Sequence, residues 1–82
     1  MNRIKVLFFA TLRQRAGMKA LELDVPEEMS VQGLRELLGR DYPALRQSLE
    51  TVVIAVNREF AFDDAVIPTN GEVAFFPPVS GG

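Results

Sequence analysis

One segment of this chain carries an extended apolar stripe at helical spacing, and it lies between segments that alternate with period two. Val31, Leu34, Leu37 and Leu38 fall on one face of a helix, and Ser30 stands where an N-cap belongs. Ahead of it, residues 3–10 read as a strand. Ile4, Val6 and Phe8 share one face, and Arg3, Lys5, Leu7 and Phe9 share the other. Ala20–Val25 reads as a second strand, with Leu21, Leu23 and Val25 set against Glu22 and Asp24. Behind the helix come residues 52–56, rich in β-branched side chains, short extended pieces at 59–61 and 65–67, and a last strand at Glu72–Phe76. With one helix and 82 residues, the only large apolar surface available to the sheet is that helix. The expected fold is an α+β roll with the main helix packed on one sheet face.

The punctuation fits this order. Thr11–Ala16 suits a short helical turn, stopped by Gly17 in a left-handed C-cap. Pro26 ends the second strand. Gly33 costs the main helix about 1 kcal/mol relative to Ala, so packing has to hold it, and Gly39 is read as its stop signal. Tyr42-Pro43 opens a shorter helical piece carrying Leu45 and Leu49. Asn57-Arg58 and Asn70-Gly71 mark turns. Pro77-Pro78 ends the last strand, because neither residue can donate to a ladder. Residues 1–76 form the domain, and 77–82 an extended, flexible tail ending in Gly-Gly.

Several chemistries are set aside by what the chain lacks. It has no Cys and no His, which removes thiolate chemistry, the commonest metal ligand and the usual proton shuttle near neutral pH. Asp63-Asp64 is a carboxylate pair, but neighbours in a loop do not converge, so it reads as a solvated turn and no metal site is expected. Arg13 and Arg15 read as a solvated face, with a basic spot for a partner as the sharper alternative. A net charge of −2 gives no reason to expect nucleic acid. No stretch approaches the ~20 apolar residues of a membrane span. The apolar run at 6–10 is too short for a signal peptide and is followed by Arg13 and Arg15. The expected location is the cytoplasm.

The tail is the informative segment. Residues 73–82 carry no charged side chain, although chain ends are usually polar and frayed. A channel in another protein would account for that. Pro77-Pro78 stiffens the backbone, and the six residues from Pro77 to Gly82 reach at most about 20 Å. Gly81 and Gly82 pass a narrow channel and leave the terminal carbonyl open to attack. A carboxylate is a poor electrophile until it gains a better leaving group, which adenylation provides. No phosphate-binding loop is present, so a separate enzyme must do that work. A chance Gly-Gly pair is expected at about 0.5% of positions, so the uncharged context and the double proline carry more of the signal than the glycines do.

The ending PPVSGG after EVAFF resembles the small, sulfur-carrying subunits of molybdopterin synthase, the MoaD family. The likeness extends to IKVLFFA near the start, Arg13, the stripe around Leu34 and Leu37, Tyr42-Pro43 and Val56-Asn57. The family often has Gly-Asp before Glu-Val, where this chain has Asn70-Gly71, a change confined to a turn. The resemblance implies a ubiquitin-like β-grasp fold with a mixed sheet. It implies a Gly82 adenylated by an E1-like enzyme that uses ATP with Mg, the chain itself binding no cofactor. It further implies conversion of Gly82 to a thiocarboxylate with sulfur from a sulfurtransferase or persulfide donor. The charged carrier would dock with the large synthase subunit, in a heterotetramer of two small and two large subunits. Sulfur would pass to cyclic pyranopterin monophosphate (precursor Z), with two carriers spent per pterin. On this reading the chain is a non-catalytic, sulfur-donating subunit.

Strand parity places a docking surface. If Ile4, Val6, Phe8, Val73 and Phe75 face the helix, then Phe9 and Phe76 face away, and Phe60 lies beside a turn. These three aromatics, with Pro77, Pro78, Val79 and Ser80, are the expected partner-binding residues, and Gly81 and Gly82 the reactive ones. Alternatives are a thiamin-type sulfur carrier, a ubiquitin-like modifier joined to lysines through Gly82, and an inert interaction domain.

Overall fold

The computed structural model describes residues 1–78. Five strands form one sheet: β1 (Asn2–Phe8), β2 (Ala20–Val25), β3 (Val53–Val56), β4 (Glu59–Phe60) and β5 (Glu72–Phe76), in spatial order β2-β1-β5-β3-β4. A short helix, α1 (Thr11–Ala16), links the first two strands, and the main helix, α2 (Val31–Asp41), follows β2. The central pair, β1 and β5, is parallel, and every other pairing is antiparallel. This is the mixed sheet of a β-grasp roll. Because β1 and β5 run the same way, both end at the same edge of the molecule, and the chain leaves the sheet there.

The core lies between the sheet and α2. Ile4, Val6, Phe8, Ile54, Val73 and Phe75 project from the sheet, and Val31, Leu34 and Leu38 meet them from the helix. The parity expected for β1 and β5 holds at every one of these positions. Ser30 caps α2: its Oγ accepts from the Gly33 N–H at 3.0 Å. Two more N–H groups of the first turn donate to a loop, Val31 to the Ala65 carbonyl at 2.9 Å and Gln32 to that of Asp63 at 3.0 Å. The unpaired donors of the helix start are thereby used to fix the segment before β5. Asn2 is the one buried polar side chain among the described residues. It donates to the Pro68 carbonyl at 3.0 Å and accepts from the Asn70 N–H at 2.8 Å, tying the start of β1 to the turn before β5.

Some boundaries differ from the sequence reading. Gly39 does not stop α2, which runs on to Asp41. Gly39 is buried beneath the segment that follows the helix, and a Cβ there would make ordinary contact, 3.8 Å from Arg46 and 3.9 Å from Leu49. That segment is two 3-10 turns, Pro43–Leu45 and Ser48–Glu50, which bury Leu45 and Leu49 as expected. The first strand ends at Phe8 because Ala10 takes a positive φ of 53° and turns the chain into α1. The third strand starts at Val53. Around Val66 there is only an isolated bridge to Ser30. Gly17 caps α1 in the left-handed region, with φ 74°. At the Asn70-Gly71 turn Asn70 takes the positive φ, while Gly71 lies where a Cβ would meet the Pro68 carbonyl oxygen at 2.9 Å.

Candidate functional site

The sheet face away from α2 is apolar at its centre. Alternation sends Leu7 and Phe9 outward from the first strand and its continuation, Ala74 and Phe76 from β5, Ala55 from β3 and Phe60 from β4. Register brings them together: Leu7 is opposite Ala74, Ala74 opposite Ala55, and Ala55 opposite Phe60. Phe9 and Phe76 stack with ring centroids 4.6 Å apart and planes 10° from parallel. Two alanines between larger side chains leave a hollow of about 450 Å³, lined by Leu7, Phe9, Ala55, Phe60, Ala74 and Phe76, with Arg58 and Glu72 also at its wall. Phe60 is 82% exposed, an unusual position for a phenylalanine without a partner.

The last strand ends beside this surface. The Phe9 N–H donates to the Phe75 carbonyl at 3.2 Å, which carries the β1–β5 ladder one residue past β1. Phe76 is then followed by half-buried Pro77 and exposed Pro78. The structure therefore groups Phe9, Phe60 and Phe76 on one face, and Pro77 and Pro78 follow Phe76 directly in the chain. The expected reactive residues Gly81 and Gly82, with Val79 and Ser80, lie outside the described residues.

Two exposed apolar residues escaped the sequence reading. Phe62 is 84% and Val66 55% exposed. Phe62 borders another depression at the start of β3, together with Arg35, Val52, Val53 and Phe60. The signal was available, because Phe60-Ala61-Phe62 repeats with period two at the end of an edge strand. Asp63 is more than a solvated turn residue: it accepts from Arg35 Nη2 at 2.7 Å and fixes the loop to α2. Arg13 and Arg15 are exposed. Among the described residues no three acidic side chains converge as a metal site would require.

Comparison with known proteins places these features. A model described as the ThiS family matches residues 6–82. The chain is 37% identical over 79 residues to the molybdopterin synthase sulfur carrier subunit of Arabidopsis thaliana, covering 96% of this chain and 82% of that one. It is 39% identical over 83 residues to the protein of the same name from Escherichia coli, covering 96% and 99%. Among solved structures, a putative molybdopterin converting factor subunit 1 from Pyrococcus furiosus superposes with a TM-score of 0.87 at 28% identity, over 96% and 100% of the two chains. The small archaeal modifier protein 1 of Methanosarcina acetivorans gives 0.80 at 26%, over 100% and 98%. A ubiquitin from Caldiarchaeum subterraneum gives 0.64 at 16%, over 99% and 98%, a likeness of fold alone.

Proposed function

The chain belongs to the ThiS family and to the group of molybdopterin synthase sulfur carrier subunits within its reach, and on that premise we propose that it carries sulfur on Gly82 for molybdenum cofactor biosynthesis. A Gly82 carboxylate oxygen attacks the α-phosphorus of ATP on an E1-like enzyme, and pyrophosphate leaves. A persulfide sulfur from a sulfurtransferase then attacks the carbonyl carbon, and AMP leaves. A thiol cleaves the resulting acyl persulfide, forming a disulfide and releasing the thiocarboxylate. The large synthase subunit takes up the loaded tail, and the sulfur passes to cyclic pyranopterin monophosphate. Magnesium and ATP belong to the activating enzyme. In this reading Phe9, Phe60 and Phe76 hold the partner while residues 77–82 extend into its active site.

The observation that carries the proposal is the coincidence of surface and exit. The residue that completes the stacked aromatic pair, Phe76, is followed at once by the Pro-Pro start of the tail. A partner seated on this face would lie next to the start of the tail. The relatives' shared name and a family match that extends through residue 82 support the same reading.

The test is intact-mass analysis after incubation with the activating enzyme, ATP and a persulfide donor. The full chain is expected to gain the mass of one oxygen replaced by sulfur. The chain lacking Gly82 is expected to gain nothing while melting normally, because Gly82 lies six residues beyond the last strand. Gly81→Val slows charging, since a branched Cβ thickens and stiffens the tail. Full sulfur transfer by the truncated chain would sink the proposal. A second reading, conjugation to lysines, is favoured by the likeness to the archaeal modifier protein. High-mass conjugates in the native host, lost with Gly82, would establish it.

A further inference from the structure

Five of the nine basic residues fall within the first 21 positions, and none of the eleven acidic ones does. The sheet neutralises two of the five. Arg3 bonds Asp24 at 3.2 Å, and Lys5 stands opposite Glu22 on one side and Glu72 on the other. The remaining three are Arg13, Arg15 and Lys19. All three are exposed, and none takes part in an ion pair among the described residues.

Topology collects these three at the edge from which the tail departs. The Lys19 carbonyl accepts from the Phe8 N–H at 3.0 Å, so Lys19 sits level with the last residue of β1. Phe8 is opposite Phe75, one residue before the end of β5. Arg13 and Arg15 belong to α1, which begins three residues after Phe8. Beyond Lys5 the register offers these cations no carboxylate, because Val6 and Leu7 face only apolar residues on β2 and β5. With a net charge of −2 for the whole chain, three cations at this edge leave −5 for the remainder. The charge is unevenly placed, with these three cations at the sheet edge where β1 and β5 end.

We propose that this edge is a steering surface for the acidic rim of the adenylating enzyme that first receives the tail. The proposal rests on the carrier reading above and names a feature of one partner. A lasting complex depends on buried apolar contacts, which the outer sheet face offers. A loading encounter has to be fast and brief, and complementary charge raises association rates more than it raises affinity. Opposed charges also orient the carrier before contact, so the tail arrives foremost. The −5 on the rest of the molecule opposes a polyanion, and a protein rim is the occupant that fits.

Stopped-flow association of the full-length carrier with the purified activating enzyme tests this between about 0.05 and 0.5 M salt. The variant Arg13→Gln, Arg15→Gln, Lys19→Gln is expected to associate about tenfold more slowly at low salt. The gap should close at high salt, with dissociation unchanged. A control of equal charge change away from this edge, Arg3→Gln, Lys5→Gln, Thr69→Glu, should stay within about twofold. Lys19→Gln alone, outside any helix, should show part of the effect even if α1 is weakened in the triple variant. Equal slowing of both triple variants, salt-independent rates, or tight binding of an RNA oligonucleotide lost in the Gln variant would each overturn the proposal. A wild-type chain that is never charged would defeat the carrier reading itself. Normal charging with rates indifferent to the three cations would defeat only this inference.

Discussion

Phe8 and Phe75 are sequence neighbours of Phe9 and Phe76, yet the two pairs do different work. The first pair meets edge to face, with centroids 6.0 Å apart and planes at 66°, and both rings are closed off from water. The second pair stacks at 4.6 Å and stays half-exposed. One step along two parallel strands turns a ring from the underside of α2 to the open face. The inner pair holds the fold, and on our reading the outer pair meets the partner. An offset stack is worth about 0.5–1.5 kcal/mol beyond area burial. That is enough to keep Phe9 and Phe76 pre-ordered for a partner without committing the core to them.

The sharpest way to break this comparison is to truncate both sides of it. Phe75→Ala should destabilise the domain by about 3–5 kcal/mol. A chain this small has a stability of only about 4–12 kcal/mol at typical per-residue values, so a large drop in melting temperature is expected. Phe76→Ala should cost folding only about 1–2 kcal/mol, the lost stack and half the ring's burial, and cost about 2 kcal/mol, some 30-fold, in a binding titration against the large synthase subunit. If Phe76→Ala unfolds the protein as Phe75→Ala does and affinity is untouched, the two faces are not functionally distinct.

A smaller effect sharpens the inner half. The core face depends on α2 as its cover, and Ser30 starts that helix. Ser30→Ala should cost about 1 kcal/mol by denaturant titration and leave partner binding unchanged. The smallest expected effect is at Phe60. Because the ring is 82% exposed, Phe60→Ser should shift stability by less than about 0.5 kcal/mol while still weakening the large-subunit complex. A clear loss of melting temperature would mean that Phe60 packs against the sheet in solution.

Much of the fold was legible because its signals are local. Alternation in β1 and β5, the α2 stripe and the Ser30 cap each depend on residues within a few positions of one another, and all were found where expected. The errors were local too, but their causes were distant. Gly39 looked like a helix stop, yet α2 runs on to Asp41, and Arg46 and Leu49 fold back beside the glycine. Asp63 does lie in an exposed turn as read, but its ion pair with Arg35, 28 positions away, had no local signal. Phe62 was passed over although it repeats Phe60 with period two, because it lies beyond the two residues of β4.

The site divides in the same way. That Phe9 and Phe76 point away from the helix follows from strand parity, and the uncharged Pro-Pro-to-Gly-Gly ending is written in the chain. Whether the aromatics form one surface was not fixed by either fact. That needed β1 to pair in parallel with β5, joining residues more than sixty positions apart, and β3 to bring Ala55 between Ala74 and Phe60. A strand's own sequence determines which side chains share a face, because the backbone pleat has period two. Which strands lie beside one another is decided by the closing of the core under α2, since only one arrangement of these segments buries their inner faces together. The sequence by itself thus determined the faces and the composition of the tail, and the tertiary structure decided that Phe9, Phe60 and Phe76 share one open face.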